Sequence, residues 1–600
     1  MRAALLALAL ALVLPARAGA QPSPSPAPAA AAQEPETRAF QYSEYEEATI
    51  ADALAALGLE RDPAPEGKRV EAIHAVRLEV VEVRDPAPRV LNVFHAVTRE
   101  WVVDREVQLR RGEPFRWTLA DETRRNLAAL PQLSLVLVVA ARGDSPDETR
   151  AVVVTKDVWS VRLNWDVSLT SGGVERLSLA PSETNLLGTH QQLGLIAELL
   201  PLSYSLGATY AAPRLGDGHV ALTLDAGLSF NRSTGAREGS FGDVQLTRPL
   251  WSSRTEWSWS LSASWLDEIT RLYSRGSVVQ YALSAGTDCA AAPSLCVPWA
   301  WRTESASASA SLTRSFGWAV KHDFTFGVEA RHNRYAVPDR AAYDPATLAS
   351  FESTRLPVGE DRVYPFARWR TYGNDFLRVL DLETLALQED YRLGPQASVT
   401  VYPVLRALGS THDLAGLSAG VAYAHAIGDG LARASVDSTN EVRLDGGGVA
   451  NGSVQAGLRL ASPQARLGRL VIDAALVDRY ENDLRRFSAL GGDTRLRGWP
   501  TQYLIGSRAL AANVELRSRP VQVLESLQIG AAAFYDVGDA FEHWDEVVLH
   551  HSVGAGLRLL FPQLDRMVFR IDVGVPIAPA RPEGVAPVDF VATFGQAFSP

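Results

Sequence analysis

The chain has 600 residues, with 58 Lys and Arg against 69 Asp and Glu and a formal net charge of −11. That mildly acidic balance gives no footing for a nucleic-acid partner. No uninterrupted apolar run reaches ~18 residues, so helical membrane spans are not expected; a transmembrane barrel, whose strands alternate apolar and polar residues, passes this filter untouched.

Residues 1–20 read as a secretory signal: Arg2 supplies the charged start, Ala3 to Leu14 the apolar run, and Ala18-Gly19-Ala20 a small-residue cleavage site. The Pro-, Ala- and Ser-rich stretch that follows, to residue 39, is expected to be a disordered linker. Residues 40–68 form a helical lead-in, with Ile50, Leu54 and Leu57 on one face of a helix that Gly58 can end. The pattern does not say what that helix docks on. Residues 69–160 read as a small α/β domain. A strand spans Val70 to Val83. Helical spacing runs from Leu91 to Leu109 through Phe94, Val97, Trp101 and Val102. The capping-box pattern Thr118-Leu119-Ala120-Asp121 opens a second helix, and strands follow at Leu133 to Ala140 and Arg150 to Val158, with a turn at Gly143-Asp144-Ser145-Pro146.

From about residue 161 the helical spacing gives way to period-two alternation. In Trp257 to Trp265 every odd position is apolar and every even one is Ser, and Ser305 to Thr313 alternates in the same way. A soluble sandwich also alternates, but Trp257, Trp259 and Trp265 on the presumed outer face are too large and numerous for ordinary exposure to water, which points to lipid. The last five strands behave alike. Leu510, Ala512, Val514 and Leu516 oppose Asn513, Glu515 and Arg517; Leu527 to Val537 opposes Gln528, Phe534 and Asp536; Val553 to Leu559 opposes Ser552 and Arg558; Met567 to Val575 opposes Arg570 and Asp572; the final strand runs from Asp589 to Phe598. All the charges fall on one face, so the lumen is expected to be polar.

The two cysteines, Cys289 and Cys296, lie close together in a chain read as exported and are expected to close a loop disulfide, with free thiols as the alternative; no further ligands sit nearby for a metal. Gly416-Leu417-Ser418-Ala419-Gly420 matches the nucleophile-elbow pattern but lies in an alternating segment without strand–turn–helix context, so no enzyme is read from it. His550-His551 is discounted as a metal pair because adjacent strand residues face opposite ways.

The most informative stretch is Leu490-Gly491-Gly492-Asp493-Thr494-Arg495-Leu496-Arg497-Gly498-Trp499, glycine-rich and cationic among strands. Gly491 and Gly492 permit backbone angles other residues resist, and Arg497 offers a permanent charge and a planar fork suited to a buried carboxylate. With Leu496, Gly498 and Trp499 at its tip, it resembles the signature loop of the BamA/TamA/two-partner-secretion (TpsB) superfamily of outer-membrane protein-insertion and translocation barrels, the bacterial surface antigen type. Phe534-Tyr535-Asp536-Val537-Gly538 resembles that family's second inner motif, in which Phe534, Asp536 and Gly538 would be the matching positions. The segments 182–188 and 241–250 are similar to family barrel segments, and Phe594, Gln596 and Phe598 to the sorting signal of its closing strand. The strand–helix–helix–strand–strand order of residues 69–160 resembles a POTRA domain.

The resemblance implies a mainly β fold: a transmembrane antiparallel barrel of about sixteen strands over residues 161–600, with a loop near 488–502 folded into the lumen, preceded by one POTRA-like domain in the periplasm of a Gram-negative cell. The strand candidates before the loop number a few more than the eleven this implies. It also implies an Arg497–Asp536 pair, no cofactor, and insertion or translocation of an unfolded or secreted client protein, with outer-membrane lipid, periplasmic chaperones and accessory lipoproteins as further partners. The competing reading is a passive pore or surface antigen. Exporters of one dedicated partner usually carry two POTRA domains and the housekeeping insertase five, so one such domain points to a specialised role.

Overall fold

The computed structural model describes residues 42–600, apart from 83–88, 90–91, 93–94, 171–172, 216–218, 275–276, 285, 494, 524–526, 563–566, 583–584 and 598–600. The expected signal and linker, and Phe94, Thr494 and Phe598, therefore lie outside the described residues. Three strands make a small sheet in which Arg69–Leu78 runs parallel to the central Glu148–Asp157, and Leu133–Arg142 runs antiparallel on its other side. The helix Trp117–Ala128 closes a core of Val103, Phe115, Leu127, Leu133, Val138 and Val153.

Several boundaries differ from the sequence reading. The first strand stops at Leu78, short of Val83. Of the helix expected over 91–109, only Glu100–Asp104 forms. Residues 95–99 instead spend their backbone on tertiary partners. The Thr98 N–H donates to Asp157 Oδ2 at 2.7 Å and the Arg99 N–H to Gly188 O at 2.9 Å. Glu106 turns to accept from Arg214 Nε at 2.9 Å. The capping box at Thr118 does not form either: the helix starts two residues earlier, with Arg116 at the N-cap and no side-chain cap.

The lead-in helix is Glu44–Leu57. Ser43 and Glu46 make a reciprocal capping box, and Gly58, at φ 66°, turns the chain out of the helix. Ile50, Ala53 and Leu54 are buried while Leu57 is exposed. The helix packs on the two neighbouring strands of the small sheet, with Lys156 Nζ donating to Tyr45 Oη at 2.6 Å.

Residues from Val161 onward form a closed antiparallel barrel of twenty strands among the described residues, the short Val521–Val523 segment counting with Arg508–Ser518 because both pair with Leu527–Phe541. The expected sixteen is therefore too few. Fifteen strands precede the inward loop and five follow it, so the surplus segments seen in the alternation are staves of the barrel. The last strand, Asp589–Phe594, closes on the first, Val161–Thr170, through a register that among the described residues runs from Phe590↔Leu169 to Ala592↔Val167. It ends before Phe598 because Gly595, at φ 94°, breaks the extended path.

The two faces of the wall differ as the alternation requires. On Trp257–Arg271 the outer residues Leu261 and Trp265 are 49% and 42% exposed, and Trp257 likewise stands out. The inner serines pair across strands, Ser262 with Ser309 at 3.0 Å and Ser264 with Ser307 at 2.8 Å. Rings lie over glycines of the neighbouring strand on both faces, Trp265 over Gly242 outside and Phe241 over Gly227 inside, where a Cβ would fall 2.1 and 2.3 Å from the ring. A continuous exposed apolar wall of this kind is the surface a barrel presents to lipid. Leu261→Arg is expected to cost about 2–4 kcal/mol if the site lies near mid-membrane, measured as a lowered denaturation midpoint of the refolded barrel.

The small domain is fastened to the barrel through the turn after Gly173–Leu186. Thr98 Oγ1 bonds both Asp157 Oδ1 and His190 Nε2 at 2.8 Å, His95 Nε2 meets Asp157 Oδ2 at 2.8 Å, and Asn185 Nδ2 donates to Ala96 O at 2.9 Å. Burial, with Arg105 and His95 nearby, pushes the His190 imidazole down to about 3. An imidazole released to water titrates at about 6.5. Between those values the released state binds a proton that the docked state refuses, so docking weakens as pH falls from about 6.5 toward 3, by at most about 1.4 kcal/mol per pH unit. Hydrogen-exchange protection of residues 95–99 is expected to drop as pH falls from 6.5 to 5, and His190→Asn to flatten that slope.

Candidate functional site

The strand Gly468–Tyr480 ends at the barrel mouth opposite the small domain. The chain then forms the hairpin Ser488–Leu490 with Leu504–Gly506, and its tip turns back into the lumen. The turn needs its glycines. Gly491 sits at φ 127° with its α-carbon against Pro500, where a Cβ would lie 1.9 Å from the carbonyl oxygen; Gly492 donates its N–H to Trp499 O at 2.7 Å. Gly498, at φ 93°, rests on the backbone of Gly574 in Phe569–Ala578, a contact in which neither position can carry a side chain freely.

The tip is dry. Leu496 and Trp499 are fully buried in a cluster with Leu490, Ala509, Ala511, Ala540 and Val585. Trp499 stacks on Tyr503 with ring centroids 5.2 Å apart, and its Nε1 donates to His551 O at 3.2 Å. His550 packs edge-on against Trp499 while His551 meets Tyr535 on the outside. These two histidines face opposite ways, and no metal-binding cluster occurs among the described residues.

Arg497, at the same loop tip between Leu496 and Gly498, has 1% of its surface exposed. Its Nε and Nη2 donate to the two oxygens of Asp536 at 2.9 Å each, and its Nη1 donates to Glu515 Oε2 at 2.9 Å and Asp572 Oδ2 at 3.1 Å. The backbone N–H of Arg497 also reaches Asp536, at 3.2 Å, and the guanidinium carbon sits 3.6 Å from the centre of the Phe534 ring. Phe534 in turn covers Gly554, where a Cβ would fall 2.2 Å from the ring, and Gly538 lets Leu527–Phe541 lie close to Leu510 O. The structure thus brings together Arg497 and Asp536, and places Phe534 and Gly538 of the second motif beside them.

The alternation put Glu515, Arg517, Arg558, Arg570 and Asp572 on the inner face without saying that they share one site. They do. Arg558 donates to Asp572 Oδ1 at 2.6 Å, Glu515 Oε1 at 3.3 Å and Gln596 Oε1 at 3.0 Å. Arg517 donates to Glu515 Oε1 at 2.9 Å and to the carbonyls of Leu382 and Ala597 at 2.6 and 3.1 Å, and Arg570 donates to Asp572 Oδ2 at 2.6 Å. Gly556 leaves the space: a Cβ there would lie 1.9 Å from Asp572 Oδ1. Gln596, singled out as part of the closing-strand signal, therefore ends in the lumenal network, while Phe594 packs on Phe569 and Trp165 at the seam. Cys289 and Cys296 are joined in a loop at the mouth remote from the small domain. Ser418 lies within the strand Leu414–Ile427 and accepts from Thr439.

A second segment enters the lumen from the other end, and no motif announced it. Between Glu360–Gly373 and Gly394–Val404 the hairpin Phe376–Leu380 with Gln388–Arg392 lies across the mouth beside the small domain. Its tip is held by inward side chains of the wall: Arg459 pairs with Glu383, Arg469 donates to Leu380 O, and Arg517 to Leu382 O. Leu377, Val379 and Leu382 pack on Ala424, Leu431, Ala461 and Val471, and Leu385 and Leu387 on Leu560 and Val568. Its outer half meets the small domain through Arg124–Asp390 and Arg378–Asp121, and the lead-in helix through Gln388 to Glu46 at 3.1 Å.

No protein-family model matches the sequence, and no match is found among curated proteins. Solved structures similar to this chain include BamA from Haemophilus ducreyi lacking POTRA domains 1–3, at 12% identity over 92% of this chain and 93% of that one, with a TM-score of 0.33. CdiB from Escherichia coli matches at 12% identity over 89% and 77% of the two chains, with a TM-score of 0.40. CdiB from Acinetobacter baumannii matches at 9% identity over 88% and 73%, with a TM-score of 0.35.

Removing the cation from a buried cluster leaves its carboxylates facing one another. Arg497→Met is expected to destabilise the folded barrel by about 3–5 kcal/mol, and Arg497→Lys to recover only part of this, since a point charge cannot replace the fork. A loss below about 1 kcal/mol in denaturant unfolding of the refolded barrel would show that the loop is not part of its stability.

Proposed function

We propose that this chain is an outer-membrane barrel that inserts client proteins into the membrane or passes them across it, with the small domain acting as a POTRA-like module in the periplasm. The observation that carries the reading is the loop tip locked inside the lumen by Arg497 to Asp536, the arrangement the two sequence motifs imply. A passive pore has no need of it, and a lumen entered by one segment from each end is poorly suited to free diffusion.

The small sheet supports capture of a client strand by β-augmentation. Its edge at Leu133–Arg142 is covered where Asp62 N–H bonds Ala140 O and Arg142 N–H bonds Glu60 O, both at 2.9 Å. On the opposite edge the cover at Val70 by residues 112–115 gives out, and no described segment pairs along Ile73–Leu78. That stretch is where a client strand would add. Delivery then has a route that avoids the lumen: the short register between Asp589–Phe594 and Val161–Thr170 is the least costly place to part the wall. This favours insertion over export through the channel. The partners are the client strand and outer-membrane lipid, with chaperones or lipoproteins feeding the open edge. No step of this reading calls for a cofactor or for bond chemistry.

Quantitative proteomics of outer membrane and medium after deletion of the gene tests the reading, with complementation by wild type, Arg497→Ala and Asp536→Ala. Loss of one or more barrel proteins from the membrane is expected, restored by wild type but not by either variant, each still assembled as a heat-modifiable barrel. Loss of a single protein from the medium would mean dedicated export. No change in either fraction, or full restoration by both variants, would overturn the assignment.

A further inference from the structure

At the mouth remote from the small domain, residues 481–487 pack between the strand ends and the helix Pro345–Thr354. Two adjoining cavities of about 300 and 330 Å³ lie there and share Arg479, Arg485, Arg486 and Phe487 on their walls. Three guanidinium groups around one space repel one another. Two are held by neutral acceptors only: Arg485 Nη1 donates to Glu352 O at 2.6 Å and Leu356 O at 3.1 Å, beside the end of that helix, and Arg479 Nη1 donates to Ser488 Oγ at 2.7 Å and Ser507 O at 3.1 Å. Arg486 is exposed and its guanidinium makes no hydrogen bond, and none of the three arginines has an ion pair, among the described residues. Of the carboxylates on the walls, Glu360 pairs with Arg362 and Glu542 with Arg355, while Glu481, which is exposed, lines the first cavity without an ion pair to the three arginines among the described residues. A net-acidic chain has therefore placed three arginines without ion pairs among the described residues around a cavity of ligand size. Trp299 lines the first cavity with Phe487, their ring centroids 6.5 Å apart.

We propose that this cavity binds a phosphorylated sugar. The phosphate would lie among Arg479, Arg485 and Arg486, whose planar forks match its oxygens, and the sugar beside Phe487 and Trp299, which line the cavity, Trp299 with the Arg355 guanidinium 5.5 Å from its ring centre. The ligand arrives either as a soluble sugar phosphate or as the headgroup of a glycolipid. The site is independent of the Arg497 cluster and of the client reading.

The test is isothermal titration calorimetry on the full chain in detergent, with glucose 1-phosphate, glucose, and a detergent-dispersed diphosphorylated glucosamine-disaccharide lipid. Arg486→Gln is the informative variant because its guanidinium makes no hydrogen bond or ion pair among the described residues; heat-modifiability on gels confirms that it assembles. Binding of glucose 1-phosphate but not glucose, weakened at least tenfold in Arg486→Gln, is expected for a soluble ligand. Binding of the glycolipid alone, with the same loss in the variant, supports the headgroup source. No binding of either phosphorylated probe, equal binding of glucose, or unchanged affinity in Arg486→Gln would overturn the proposal.

Discussion

A guanidinium out of reach of water must have its charge answered where it stands. Arg497 meets that demand with Glu515, Asp536 and Asp572, contributed by three different strands of the final five. These carboxylates can converge only if those strands hold one register, so the loop and the wall specify each other. The same demand explains the glycines. Gly498 lets the loop touch Gly574, and Gly556 makes room for Asp572 beside Arg558. It also draws in the end of the chain, since Gln596 and Ala597 accept from Arg558 and Arg517. The closing strand is thereby tied to the lumen as well as to its neighbour, and its short pairing with Val161–Thr170 need not hold the end of the chain alone.

The lumen is a polar solvent substitute with two solid inserts. Arg517 belongs to both of them, bonding Glu515 in the Arg497 cluster and Leu382 O in the hairpin from the other mouth. The hairpin in turn is paired with helix Trp117–Ala128 and touches Glu44–Leu57. Hydrogen bonds and ion pairs thus run without a break from the small domain through the hairpin to the Arg497 loop. A perturbation at the small domain has a physical path to the loop that a bare channel would lack, with the energetic coupling itself open to double-mutant analysis.

The outer wall answers a different demand. Lipid accepts no unpaired backbone groups and penalises charge, so closure of the sheet and an apolar outer face come together. Serine pairs on the inside and the Trp265 ring laid over Gly242 on the outside are two ways of packing neighbouring strands whose faces meet opposite solvents.

Much of this was legible in residue order because period-two alternation is a local property. The inner and outer faces of the last five strands, and their number after the loop, follow from the alternation; it also puts Asp536 on the lumen side, while its nomination as the partner of Arg497 came from the family resemblance. The strand total went the other way: the alternation already contained more than eleven segments before the loop, and the sixteen carried over from resemblance was too few. Helix limits failed where residues had long-range partners, the Thr98 N–H bonding Asp157 and the Glu106 carboxylate accepting from Arg214, contacts that no local spacing encodes. The hairpin Phe376–Arg392 was invisible for the same reason, its carbonyls being held by Arg469 and Arg517 far along the chain. The sequence by itself determined which residues face lipid and which face the lumen, because a strand sorts its neighbours with no help from the rest of the fold. Only the tertiary structure decided which inward charges meet and which segments enter the lumen, because closing a barrel brings together residues from strands far apart in the chain.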